Sequence, residues 1–507
     1  MASSLISSPL ETIVEFIEQF FGVVVNLSSL AEKKSAQQTV YILPVSFFCQ
    51  TKVAGYHRHR DRQNNFLDTI RSCDYKIVLR IWRGNGKFWN LHGLTKQRRS
   101  QQHELVEFAK AEVAGYRISR YILTRIDTYD NLRDTACSVR DVRVNGIVVP
   151  EVLYFSHDTT AGKIISPNTP PWAIFSYVGK ESVHFNNMNR INDQGTFVSQ
   201  MVKIRHEFGF DEPHPRHGRV DSNRSLSYAL QVLDQIIKPL HHPFYTSNNP
   251  MHASHLHGMH KILAFDAIGE CYRCNHMVSL YHRISHDLLI EVQKRENQEG
   301  KYISVNPFPL MNEQLIRHTH LLYNYTSQLT TEVERRGNQE LHRNPPGVLC
   351  HCDLQPQNLM FFWTSISDVD THTVPSIACV LDWEEAAYAD PRFEIVLICR
   401  RVCCDINQAR VVWDNYTRWV DHEFNHYDRN IIIGPLEPWL ILEGLHNICI
   451  WLLQAWEMTR FWSSSDLGSS ASRTGRNPWE DRKTLEGKIE REFQRFNTYG
   501  WNFQPRC

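Results

Sequence analysis

A chain of 507 residues with 42% hydrophobic and 22% charged residues has the makeup of a packed globular protein, which excludes wholesale disorder, collagen-like repeats and a simple coiled coil. Lys+Arg and Asp+Glu both number 55, so zero formal net charge gives no bulk attraction to nucleic acid or to an anionic membrane. The 13 cysteines lack the dense, paired spacing of a disulfide scaffold, and the first residues lack a secretory pattern, so a cytoplasmic protein is expected.

In chain order, Ile13, Val14, Ile17 and Phe20 at helical spacing predict a helix over 12–20. Residues 23–25 start a strand. A polar stretch, 31–38, separates it from β-forming 39–48, and 49–74 reads as a long solvated insertion. Residues 75–82 (YKIVLRIW) form the clearest strand of this half, and 101–122 a helix. Strands are expected at 142–154 and 172–178. Helical periodicity then dominates at 226–237, 274–298 and 311–336. A strand–loop–strand unit follows at 348–383, then helices at 391–425 and 436–462. The apolar run 431–456 contains Pro435, Glu437, Pro438, Glu443 and His446, so it reads as a buried helix and not a membrane span. A Ser/Gly-rich loop, 463–478, precedes a charged helix at 480–496. The pattern is α+β: a strand-rich part over 1–180, a helical part over 181–462, and a tail over 463–507.

The chemistry concentrates in 348–385. His351, Asp353 and Asn358 follow the H-x-D-x-x-x-x-N spacing of a phosphotransferase catalytic loop. An apolar strand, 377–381, ends in Asp382, and a hairpin can return it beside Asn358. Phosphoryl transfer needs a carboxylate at the acceptor hydroxyl, a role that suits Asp353. Magnesium seeks hard oxygen ligands, which Asn358 and Asp382 supply.

The segments HCDLQPQN and VLDWEEAAYADPRFE resemble the aminoglycoside phosphotransferase and choline kinase-like family, and the D-P after Asp382 is closer to the aminoglycoside branch. The resemblance implies a bilobal protein kinase-like fold, with a small β-rich N-terminal lobe and a large, mostly helical C-terminal lobe. It implies that Arg80 holds nucleotide phosphates, that Glu112 orients Arg80, and that the chain around Ser176, Tyr177 and Val178 meets adenine. It implies that His351 and Asp390 structure the loop, and that Glu384 and Glu385 can face a cationic acceptor. The nucleotide turn, 31–38, has no glycine, and Lys33, Lys34 and Ser35 are candidates to compensate. The implied cofactors are ATP and Mg2+. The implied activity moves the γ-phosphate to a hydroxyl of a small metabolite, an amine-bearing one included. A catalytically weak or inactive kinase-like protein that binds nucleotide or serves as a scaffold, and a choline/ethanolamine-type kinase, are the alternatives. The expected partner is a small-molecule acceptor, with no nucleic acid and no membrane; oligomeric state stays open. Scattered histidines over 241–260 and the pair Cys271/Cys274 are a weak zinc signal. Cys350 and Cys352 read as small buried fillers.

Overall fold

A computed structural model of the chain describes residues 9–34, 38–47, 76–83, 101–125, 147, 149–158, 170–178, 222–245, 274–299, 309–335, 347–355, 358–362, 376–401, 405–424, 436–463 and 478–498. The insertion 49–74, Ser35, residues 142–146, His252 to His260, Cys271 and the Ser/Gly loop lie outside these residues.

Helix α1 (Pro9–Phe21) starts on a proline, whose missing N–H is no loss at a first helical position. Ile13, Val14, Ile17 and Phe21 share its buried face. Gly22 ends it at φ +66°, donating its N–H to Glu18 O at 2.9 Å, a left-handed cap that glycine adopts without strain. The N-terminal lobe is an antiparallel sheet of β1 (Val23–Val25), β2 (Ala31–Lys34), β3 (Gln38–Phe47), β4 (Lys76–Trp82), β5 (Val152–Phe155) and β6 (Trp172–Ser176). Its order is β1-β3-β4-β6-β5, with β2 also on β3.

Strand alternation sorts β4 between two cores. Ile77, Leu79 and Ile81 join α1 in one buried cluster. Arg80 and Trp82 face helix α2 (Gln101–Arg125), where Trp82 joins Phe108, Ala109 and Val113 in the larger cluster. The stretch 31–38 is corrected: Ala31–Lys34 pairs with Thr39 to Ile42, so Lys33 and Lys34 are strand residues. β-Branched Thr39 and Val40 across the ladder recruit the polar segment into the sheet. Of the strand expected at 142–154, residues 142–146 lie outside the described residues, 149–151 are not strand, and the strand runs Val152–Phe155. Pro150 has no N–H to give a ladder.

The C-terminal lobe holds α3 (Ser222–Val232), which runs through a π-helical turn (Leu233–Ile237) into α4 (Lys238–Tyr245). Helices α5 (Cys274–Glu299) and α6 (Pro309–Arg335) pack together. Two small antiparallel pairs follow: β7 (Val348–Cys350) with β10 (Ala387–Ala389), and β8 (Leu359–Phe362) with β9 (Ser376–Val380). The helix expected over 391–425 is two, α7 (Pro391–Arg401) and α8 (Ile406–Phe424). Asp405 accepts the Gln408 N–H at 2.9 Å and so begins α8 afresh. Helices α9 (Glu437–Ser463) and α10 (Pro478–Thr498) close the lobe. Trp413, Trp439 and Trp456 are core residues. Among the described residues, no helix is long and apolar enough to cross a membrane.

The lobes meet where α2 lies on the turn Trp383–Glu385. Gly115 permits that approach: a Cβ there would stand 3.0 Å from Ala386 Cβ and 3.1 Å from Trp383 Cβ. Gly115→Val is therefore expected to destabilise the protein by about 1–3 kcal/mol through overpacking. Denaturant unfolding would read this as a lower midpoint at unchanged slope.

Candidate active site

The site is assembled from the ends of short strands. Strand β7 is wholly buried and delivers His351, Cys352 and Asp353 at its C-terminal end. Cys352 turns the chain with φ +62°, a conformation unusual for a non-glycine residue. Its N–H, with no ladder left to join, donates to Glu394 Oε2 at 3.0 Å. Glu394 lies in the first turn of α7, and Asp390 caps that helix, accepting the Arg392 N–H at 2.9 Å. Asp390 also binds the buried Arg392 guanidinium through both oxygens, at 2.8 and 2.6 Å.

His351 packs against Trp383 with the rings tilted by 50°, and it joins two loops. Its Nδ1 accepts the Asp353 N–H at 3.2 Å, and Nε2 lies 2.8 Å from Leu381 O. These partners require the neutral ring with hydrogen on Nε2. Burial lowers its pKa and favours that form.

Asp353 Oδ2 accepts from Gln355 Nε2 and Asn358 Nδ2, each at 2.8 Å, and Oδ1 stands 3.2 Å from Arg401 Nη2. Asn358 O accepts the Leu381 N–H at 2.8 Å, and Leu359 pairs with Val380. That register sets Asn358 beside the strand end carrying Asp382. With the Asn358 amide nitrogen spent on Asp353, its carbonyl oxygen is the donor left for a cation. The Asp382 N–H donates to Tyr116 Oη at 2.9 Å, and burial pushes that phenol up to about 12. Asp382 has φ +65°.

Arg80 is the cation of the upper lobe. It pairs with Glu112 through Nη1 and with Asp382 Oδ1 through Nη2, the latter at 3.0 Å. Glu112 is fully buried and also accepts from Trp82 Nε1 at 2.8 Å. Glu384 sits on this same side, accepting from Gln38 Nε2 at 3.5 Å. Burial first, then the Asp382 charge, pushes its pKa up to about 7. Glu385 is half-buried in the same turn.

Of the predicted site residues, the structure brings Arg80, Glu112, Asp353, Asn358, Asp382, His351 and Glu384 into one contiguous set. Ser176 pairs within the sheet and donates its N–H to Glu151 O at 2.8 Å, so that N–H is already committed. Tyr177 and Val178 follow at the strand end, where Lys76 lies 5.5 Å over the Tyr177 ring. Lys33 is on β2 and Ser35 lies outside the described residues. Burial raises the Cys350 thiol to about 11 and the Cys352 thiol further, consistent with inert filler. His241 is a core residue with Nδ1 2.9 Å from Tyr416 Oη. Among the described residues, no three His, Cys, Asp or Glu side chains converge on a metal position.

Glu394 and Arg401 carried no assigned role in the sequence. Glu394 stands four residues after Asp390 in D-P-R-F-E, an apolar-flanked carboxylate that was a readable signal. Nothing local marks Arg401.

A comparison with family models matches residues 300–426 to APH, the phosphotransferase enzyme family. This segment is similar to that family. No curated protein matches the chain. Similar solved structures include the GDP complex of wild-type aminoglycoside 2'-phosphotransferase-IIIa (12% identity, 96% of this chain and 99% of that one, TM-score 0.43). Others are an ethanolamine kinase of Plasmodium vivax (12%, 100% and 96%, TM-score 0.36) and a choline kinase of Streptococcus pneumoniae (10%, 96% and 100%, TM-score 0.31). The segment similar to that family contains the whole Asp353–Asn358–Asp382 set, while Arg80 and Glu112 reach it from outside.

Burial also pushes the Glu394 carboxyl up to about 7, against an ordinary 4.5. The unfolded chain releases this proton near 4.5 and the folded chain holds it to about 7. The group's stabilisation is therefore complete below 4.5 and lost as pH rises through 7. Folding free energy should fall across that window, by on the order of 3 kcal/mol from this residue. Glu384, shifted the same way, adds to the trend. Glu394→Gln keeps an acceptor for the Cys352 N–H and removes the titration. Unfolding series from pH 4.5 to 7.5 should give it a flatter profile than wild type.

Proposed function

We propose that this protein transfers the γ-phosphoryl group of ATP to a hydroxyl of a small molecule. One observation carries the reading: a carboxylate, Asp353, is locked by Gln355 and Asn358 beside a second carboxylate, Asp382, that a buried Arg–Glu pair holds in place. In such transfer, most of the catalysis is positioning and charge stabilisation, and little covalent work falls to the protein.

Asp353 would orient the acceptor hydroxyl and take its proton. Arg80, held by Glu112, would face the nucleotide phosphates. The donor set suits magnesium, which asks for one or two hard protein oxygens and takes the rest from phosphates and water. Asn358 and Asp382 would hold it. When bound, the ion draws negative charge from the transferring phosphates. His351 needs no proton exchange in this scheme, because both its nitrogens are spent on backbone.

The test is Mg-ATP turnover with a panel of small hydroxyl compounds. Asp353→Asn should lower turnover by about 10²–10⁴-fold while leaving Mg-ATP stabilisation intact. Equal rates for wild type and variant would remove Asp353 from the chemistry. Absence of thermal stabilisation by millimolar Mg-ATP would favour a scaffold.

A further inference from the structure

The two oxygens of Asp353 are unequal. Oδ2 already accepts two amide N–H groups. Oδ1 is shielded from solvent, accepts no hydrogen bond, and faces Arg401 Nη2 at 3.2 Å. A base removes a hydroxyl proton at an oxygen with an open lone pair within hydrogen-bond reach. Oδ1 is that oxygen, so the guanidinium covers the position an acceptor hydroxyl must occupy.

Arg401 is placed to move, and its neighbour is not. Arg400 is clamped by Glu443 at 3.0 Å and by Glu492 at 2.7 Å, both buried carboxylates. Arg401 ends α7, is 47% exposed, and has Asp353 as its ion-pair partner among the described residues. A pair that open to water is weak and exchanges readily. The nearby acids are otherwise engaged: Glu443 feels Arg401 but is paired with Arg400, Glu384 lies with Arg80 and Gln38, and Glu394 sits behind the loop on the Cys352 N–H. His446, near Arg401, is kept neutral by burial.

We propose that Arg401 binds the acceptor and that the acceptor carries an anionic group, a carboxylate or a phosphate ester, next to its reacting hydroxyl. This deepens the phosphotransferase reading and rests on it. The substrate anion draws the guanidinium off Oδ1. The freed oxygen takes the hydroxyl proton as the hydroxyl oxygen bonds to the γ-phosphorus. The bond from that phosphorus to the β,γ-bridging oxygen breaks, and ADP leaves with the electron pair. This acceptor differs from the amine-bearing one expected from Glu384 and Glu385; Glu384 shares its surroundings with Arg80, whereas Arg401 is the charge directly on Asp353.

The full chain would be assayed with Mg-ATP and D-glycerate, glycerol 3-phosphate, glycerol or ethanolamine, in wild type, Arg401→Ala and Arg401→Lys. One or both anions should be the preferred acceptors, and comparing the two separates carboxylate from phosphate ester. Arg401→Ala should raise KM for the preferred anion roughly tenfold and, by uncovering Oδ1, raise glycerol turnover, so that the preference for the anion collapses, and Lys should restore part of it. Preference for ethanolamine would overturn the proposal. So would an equal fall in kcat for every acceptor, which would place the guanidinium on the transferring phosphoryl group. If none of the four is turned over, thermal shift with Mg-ATP bound decides: anions must stabilise wild type more than Arg401→Ala, or the proposal fails. Failure of Mg-ATP itself to stabilise would instead remove the phosphotransferase reading beneath it.

Discussion

Arg80 is a guanidinium largely withdrawn from water, 11% exposed, at the junction of two lobes, and a cation so placed is tolerated only with charge and hydrogen-bond partners around it. Its partners come from distant parts of the chain. Glu112 reaches it from α2 and is itself fixed by Trp82; Asp382 reaches it from the end of β9. Removing one member of such a set leaves an uncompensated buried charge, a loss of about 3–5 kcal/mol. The sheet, the helix and the strand end that carries Asp382 are therefore held to one geometry. Three residues of α2 on one helical face serve this purpose: Glu112 pairs, Gly115 allows contact, and Tyr116 takes the Asp382 N–H.

The loop that carries Asp353 depends on a second buried carboxyl. Cys352 and Asp382 both adopt left-handed backbone, at φ +62° and +65°, which costs of order 1–3 kcal/mol each and persists only when surroundings over-determine it. Glu394 and His351 supply that determination for the loop, and Tyr116 supplies it for Asp382. Strain and burial are concentrated where Asp353 and Asp382 must be aimed. Helix α7 links this support to the outside: its first turn carries Glu394, and its last turn carries Arg400, anchored to α9 and α10, and Arg401, laid over Asp353.

Much of this was legible beforehand because the signals are local. The β-forming makeup of 75–82 predicted β4, and periodicity predicted α2, α5, α6 and α9 to within a few residues. Errors fell where tertiary pairing overrides composition. The polar 31–34 became a strand because β3 offered it a ladder, and 391–425 broke at Asp405, whose cap has no apolar signature. The histidines over 241–260 were only a weak zinc signal, and His241 is a core residue paired with Tyr416.

By itself the sequence determined the α+β class and the spacing of His351, Asp353, Asn358 and Asp382, because covalent spacing along strand–turn units limits where those groups can point. Only the tertiary structure decided which charges meet. Arg80 and Asp382 are joined across 302 positions, and Arg401 reaches Asp353 from another helix. Such pairs obey burial and distance in space, which no local pattern encodes, and they set which oxygen of Asp353 remains to be opened.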